Sequence, residues 1–354
     1  MPGRANGTVL DTISRSAAAA AAAAPEDCSI DVEAVQRYAS SLNVSQVQEA
    51  GVPTRLPVRF ESVQQEVNFL ATMHLLDFGS GYDPQLLQTM RRDARETLQF
   101  GVLGMHISDK KIDAQFMKEF SNFAVANYFG IQSHIDQQVQ PGITMSRPGP
   151  LLQLTQQIRQ ALNSTGAALE DAGSADLGSL IMSSLESRRA SGQAPSASSL
   201  VEYLTTAIPV FADEANWRGQ QVVFQRKAQL LAFALYQRFA PELPDLFGFV
   251  DAEQLTADSG NVVPAALHRL GILKYSNELE QAIAAQQPLT PGSDQEVALR
   301  AAAINAVAQI VQATGQALTG PQLSIYLQHY LESTTQIQAP GKGVKHLAPG
   351  SLAY

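Results

Sequence analysis

The sequence predicts a mainly α-helical protein: a single compact helical domain over residues 28–354, preceded by a disordered, alanine-rich leader over residues 1–27. Three observations carry this expectation. Apolar residues recur at i, i+3 and i+4 through most of the chain after Ser29, which lines them up on one helix face. Short alternating runs of the strand kind are scarce. Hydrophobic residues make up 45% of the 354 positions and charged ones 16%, enough to build a sizeable core.

The elements follow in chain order. Residues 1–25 carry an alanine tract, with Asp11 the only acid beside Arg4 and Arg15. Alanine favours helix intrinsically, but no amphipathic face is visible, so the stretch reads as disordered. A Ser- and Arg-bearing, acid-poor segment also fits an organelle-targeting peptide. Helices are expected over Val67 to Leu76, Asp113 to Phe129 and Leu151 to Leu162. Arg226 to Phe239 is apolar nearly all round, which predicts a central buried helix. Ser293 and Glu296 stand three apart before an apolar run, the signature of a capping box. Pro141 to Pro150 and Glu186 to Ser199 are rich in Gly, Pro and Ser and read as loops.

Composition excludes several classes of function. A net charge of -9 does not supply the positive field that nucleic acids require, so no stable nucleic-acid complex is expected. Apart from the alanine tract, no apolar run approaches the roughly 20 residues that span a bilayer, so no membrane partner is expected. The single cysteine, Cys28, forms no internal disulfide and fits a reducing, cytoplasmic location. Six histidines without an H-x-x-x-H or H-x-H pair offer no metal site, and no cofactor is expected. Asp77-Phe78-Gly79 matches the magnesium-binding tripeptide of protein kinases, but the glycine-rich loop, strand lysine and H-R-D loop are missing. There is no P-loop, spaced Rossmann fingerprint, G-x-S-x-G elbow or zinc-deaminase pair.

Five segments carry a resemblance: HLLDFGSGY (His74 to Tyr82), IPVFADEANWRGQQVVFQRKAQLL (Ile208 to Leu231), FVDAEQLTADSGNVVPAALHRLGILKYS (Phe249 to Ser276), GSDQEVALRAAA (Gly292 to Ala303) and IYLQHYL (Ile325 to Leu331). In order and spacing the chain resembles the queuosine salvage family, whose members hydrolyse queuosine 5′-phosphate to free the base queuine. The resemblance implies a DNA-glycosylase-like helical fold, a small nucleotide substrate and no metal or redox cofactor. In the family pattern an aspartate stands four residues before the proline of the Pro264 helix, the place of Gly260 here. Ala212, Ser324 and Gln328 are further departures.

Breaking an N-glycosidic bond develops positive charge near C1′, which a carboxylate can stabilise while it activates the attacking water. A 7-deazapurine has no N7 to protonate, so hydrogen-bond donors at the base edge must help its departure. Asp258 is the acid of the loop before Pro264 and has two readings, catalytic carboxylate or local Asx-turn and cap. Asn261 is either a helix cap or a substrate contact. Arg226 and Lys227 open a helix, where cations gain nothing from the dipole, and this favours a bound anion such as a phosphate. Glu296 and Arg300, four apart, either pair on the surface or line the pocket. Phe78, Tyr82, Phe211 and Tyr326 are core aromatics or platforms for the base, and Asp77 is a second carboxylate able to accept N–H donors. Asp213 matches the family's acid in the same segment. Two functions follow: a nucleotide N-glycosylase, or an inactive relative that binds a nucleotide or a protein partner.

Overall fold

A computed structural model describes residues 7–51, 58–108, 110–334 and 342–354. Helices dominate, as expected, and the described strands form three two-stranded antiparallel sheets. The chain divides into two compact units. The first gathers Met1–Val58, Ser184–Thr205 and Ala212–Ala348; the second gathers Arg59–Ser183, Thr206–Phe211 and Pro349–Tyr354.

In the first unit the organising element is the helix Asp294–Ala313. Its buried run Val297, Leu299, Ala301, Ala302, Ala303, Ile304, Val307 and Ile310 wraps most of its circumference. Small residues let neighbours approach, and the helices Val9–Ala23, Val32–Ser41, Val262–Arg269 and Gly320–Thr334 all pack on it. The helix Arg226–Phe239 is buried too, through Ala228, Leu231, Ala232, Phe233, Leu235 and Phe239.

The leader expected to be disordered is instead a packed helix over Val9–Ala23. Thr8 and Asp11 form a reciprocal capping box at its start. Leu10, Ile13, Ala17, Ala20 and Ala21 are buried at helical spacing, so the alanines do make a face; it is a face of small side chains, which hydropathy alone conceals. Its Ser16 hydroxyl accepts from the Val223 N–H at 3.1 Å, satisfying a backbone group on the strand Gln220–Val223. At its other end Arg218 donates to the Ala23 carbonyl at 2.8 Å and pairs with Glu26 at 3.0 Å.

The second unit is built on the helices Val63–Leu75, Ala94–Ile107 and Leu152–Asp171. Asp113 to Phe129 is not one helix but two, Ala114–Lys118 and Asn122–Phe129, because Ser121 caps the second by accepting from the Ala124 N–H. The expected loop at Pro141 to Pro150 contains a strand, Ile143–Pro148, paired with His134–Gln140 around Gly142 at φ 81°. The second expected loop shortens to residues 191–196, between the helices Leu177–Ala190 and Ala197–Ala207. After the helix Val63–Leu75 the chain turns through Gly79, whose φ of 93° favours glycine and whose N–H donates to the Tyr354 carbonyl at 3.1 Å.

Packing of the first helix yields a test. Ile13 is fully buried, so Ile13→Ala is expected to destabilise the protein by about 2–4 kcal/mol. Denaturant unfolding with a midpoint unchanged from the parent's would contradict a packed first helix.

Candidate functional site

The polar centre of the first unit grows from a break in the chain before the helix Arg226–Phe239. The hairpin Glu214–Trp217 and Gln220–Val223 returns the chain to Asp213, whose carbonyl accepts from the Phe224 and Gln225 N–H groups at 2.9 Å each. Gln225 sits in the left-handed region at φ 49° and gives no side-chain cap. Asp213 supplies the missing acceptor from a distance in sequence, its Oδ2 receiving the Arg226 N–H at 3.3 Å. A carboxylate at a helix start is favourable, whereas the two cations opening this helix are not. Both cations are buried, Arg226 at 8% exposure and Lys227 at 0%, so each requires compensation inside the protein.

For Arg226 the compensation is Asp258. The guanidinium donates through Nε to Oδ1 at 2.5 Å and through Nη2 to Oδ2 at 3.1 Å, a two-point ion pair. Asp258 also forms a local turn, one of its two readings, with its Oδ1 accepting from the Gly260 N–H at 2.8 Å. Its side chain keeps 17% exposure, against 4% for Asp213 and 2% for Glu296. Of these three acids, Asp258 is therefore the one with a path to a ligand.

The loop carrying Asp258 is tied at three places. The Asp258 N–H donates to Ser324 Oγ at 3.0 Å, and that hydroxyl donates to the Gly320 carbonyl at 2.8 Å. A Cβ at Gly320 would lie 2.9 Å from the Ala257 nitrogen, so glycine lets the helix Gly320–Thr334 come up against this loop. Arg300 donates through Nε to the Ser259 carbonyl at 2.9 Å and through Nη2 to Asp213 Oδ2 at 2.5 Å. Its guanidinium lies 3.8 Å from the centre of the Phe224 ring and 3.5 Å from Glu296 Oε1. Finally the Asn261 amide donates to the His346 carbonyl at 2.9 Å.

These contacts revise several sequence expectations. Glu296 and Arg300 do pair, but in the interior rather than on the surface. The capping box at Ser293 is half formed: Ser293 Oγ accepts from the Glu296 N–H, while the Glu296 carboxylate turns to the Gly292 N–H at 3.1 Å and to Arg300. Asn261 occupies the cap position of the helix Val262–Arg269 without capping it, since its side chain is committed to His346. Tyr326 is half-buried on the helix Gly320–Thr334. Asp77, Phe78, Tyr82 and Phe211 belong to the second unit. There Phe78, Tyr82 and Phe211 are buried, Asp77 is half-buried, and burial pushes the Tyr82 hydroxyl up to about 12.

Sequence reasoning missed Ser259, Phe224 and His346. His346 is 2% exposed, and burial, reinforced by the Arg300 charge, lowers its pKa to about 3. No periodic pattern surrounds it, and its backbone carbonyl is tied to Asn261 across 85 residues of sequence. Among the described residues no cluster of three His, Cys, Asp or Glu side chains could hold a metal ion, and no helix is long and apolar enough to cross a membrane.

A helical protein with an ion-paired, partly exposed carboxylate beside a helix start is the class that fold and site define. The chain belongs to the queuosine salvage protein family, whose sequence profile matches residues 105–346. It is similar to proteins named queuosine 5′-phosphate N-glycosylase/hydrolase. The relative from Sphaerobacter thermophilus is 42% identical over 118 residues, 33% of this chain and 36% of the relative. That from Dictyostelium discoideum is 32% identical over 111 residues, 31% of this chain and 34% of the relative. The one from Bos taurus is 27% identical over 143 residues, 38% of this chain and 41% of the relative. The aligned stretches thus span about a third of the length of the first two relatives.

His346 gives this site a pH signature. Its folded pKa lies below the ordinary 6.5, so the unfolded chain binds more protons at acid pH. The contribution of His346 to stability is therefore full above pH 6.5 and falls as pH drops toward 3, by up to about 1.4 kcal/mol per pH unit. His346→Gln is expected to flatten that slope in urea melts between pH 6.5 and 4; an unchanged slope would contradict a buried neutral imidazole.

Proposed function

We propose that this protein hydrolyses the N-glycosidic bond of queuosine 5′-phosphate, releasing queuine for salvage into tRNA modification. The observation that carries the reading is the Asp258–Arg226 pair: a carboxylate with an exposed edge, set against a cation, in a chain of the queuosine salvage family. The names of the similar proteins support the same reaction.

In this reading the C1′–N bond breaks with its electron pair going to the base, leaving an oxocarbenium-like sugar. Asp258 stabilises that cation and takes a proton from the water whose oxygen adds to C1′. The proton ends on the departing base, and the products are queuine and ribose 5-phosphate. Arg226 or Lys227 grips the phosphate, and Arg226 has a partly exposed carboxylate beside it. Of the four aromatic candidates, Tyr326 is the one in the first unit, and in this reading it stacks on the base. Arg300, Asp213 and Glu296 hold the loop of Asp258 in place. The substrate is a small nucleotide, and the net charge of -9 argues against a standing nucleic-acid complex. A buried, unpaired Cys28 fits the cytoplasm.

One observation favours a second reading. Gly260 stands where the resemblance places an acid, and both Asp258 oxygens accept hydrogen bonds from the protein. An inactive relative that binds a nucleotide or a protein partner would look the same.

Chromatography of queuosine 5′-phosphate digests separates the two. The parent is expected to release queuine, and Asp258→Asn to lower kcat by about 10²–10⁴-fold with an unchanged circular dichroism spectrum. Ligand-induced thermal stabilisation without any release would establish the binding reading instead.

A further inference from the structure

We infer that the Arg226–Asp258 pair is a clasp opened by the substrate's own phosphate, so that the 5′-phosphate acts as trigger as well as handle. The inference rests on the proposed hydrolase reading and adds a regulation to it.

The two roles assigned to these residues conflict in the unliganded protein. Arg226 Nε and Nη2 are directed at Asp258, and Asp258 Oδ1 and Oδ2 are directed back. A carboxylate matched so closely by a guanidinium has little net charge to offer a sugar cation. A guanidinium so engaged cannot offer that same Nε–Nη2 edge to a phosphate. Exchange of partners resolves both. A phosphate monoester carries close to two negative charges and accepts the same two-point contact as a carboxylate, so it competes for the fork on better electrostatic terms.

The surroundings suit an exchange at low cost. Asp258 side-chain exposure is 17%, so the pair is open to the outside at its carboxylate edge, with Arg226 buried beside it. Arg226 opens a helix of 14 residues, whose positive end favours an incoming anion. Arg226 would not be left uncompensated in the exchange, since one oxyanion replaces another. Released from Arg226, the carboxylate stays oriented, because the Gly260 N–H bond to Oδ1 and the Ser324 bond to its N–H do not involve the guanidinium. A ribose joins its phosphate to its anomeric carbon through a short, stiff ring, so one ligand can address both members of an adjacent pair. The bare nucleoside is then a poor substrate: without a phosphate the clasp stays shut.

Titration of the full chain with inorganic phosphate, followed by calorimetry, tests the exchange without any catalysis. If Asp258 competes for Arg226, Asp258→Asn must bind phosphate more tightly than the parent. We expect a gain of about tenfold, the equivalent of about 1.4 kcal/mol. Arg226→Gln is expected to lose the binding. Asp258→Ser should repeat the gain, which guards against a folding defect in either variant; melting curves identify such a defect. Weaker or equal phosphate binding by both Asp258 variants would overturn the clasp. A second arm compares queuosine with queuosine 5′-phosphate. Release from the nucleotide alone, with slow release from the nucleoside restored by added inorganic phosphate, supports the trigger. Equal release from both substrates overturns it. Release from neither contradicts the hydrolase reading, and the phosphate titration still decides the clasp.

Discussion

The first unit depends on a single constraint, that the cations opening one buried helix must be neutralised from within. Arg226 and Lys227 enter the interior at the very end of a helix where the dipole opposes them. Burying such charges is tolerable only with close partners. Asp258 meets that need for Arg226 from the loop before the helix Val262–Arg269, while Asp213, from the hairpin before the helix, accepts the Arg226 backbone N–H and pairs with Arg300. Once both acids are drawn in, the position of the loop that carries Asp258 follows. Arg300 completes the arrangement by bonding Asp213 and the Ser259 backbone together, with Phe224 as its platform. The helix Asp294–Ala313, which carries Arg300, is also the element on which the first helix, Val9–Ala23, and the helix Gly320–Thr334 pack. Core packing and site geometry thus share one framework.

That sharing has an energetic consequence. Removing one member of a buried pair leaves an uncompensated charge and costs about 3–5 kcal/mol, more than most core truncations. Asp213, Glu296 and Arg300 therefore act on the site through its architecture, while Asp258, with its exposed edge, is the member that can meet a ligand. The C-terminal segment takes part as well, through the Asn261 bond to the His346 carbonyl.

Much of this was legible in the sequence. The helix Arg226–Phe239 was marked by its all-round apolarity, and the candidate residues Asp213, Arg226, Asp258, Glu296 and Arg300 prove to be bonded partners or near neighbours. What periodicity could not supply was pairing across long separations. Arg226 and Asp258 are 32 residues apart, and Arg300 and Asp213 are 87 apart. The leader was misjudged because alanine carries little hydropathy contrast, although a stripe of small side chains packs closely on a neighbouring helix. The strand Ile143–Pro148 was hidden by its Gly and Pro neighbours, which read as loop punctuation. Of the two readings of Asn261, the helix cap does not form, because a tertiary acceptor, the His346 carbonyl, takes its side-chain amide.

The central claim is that Asp258 and Arg226 divide a nucleotide between them, anomeric carbon to one and phosphate to the other. A crystal structure of the Asp258→Asn protein with queuosine 5′-phosphate bound tests it most directly. The amide oxygen introduced by that substitution is expected within about 3.5 Å of C1′, with the Arg226 guanidinium turned onto the phosphate. A nucleotide seated elsewhere, or one that leaves Arg226 against the substituted side chain, would contradict it.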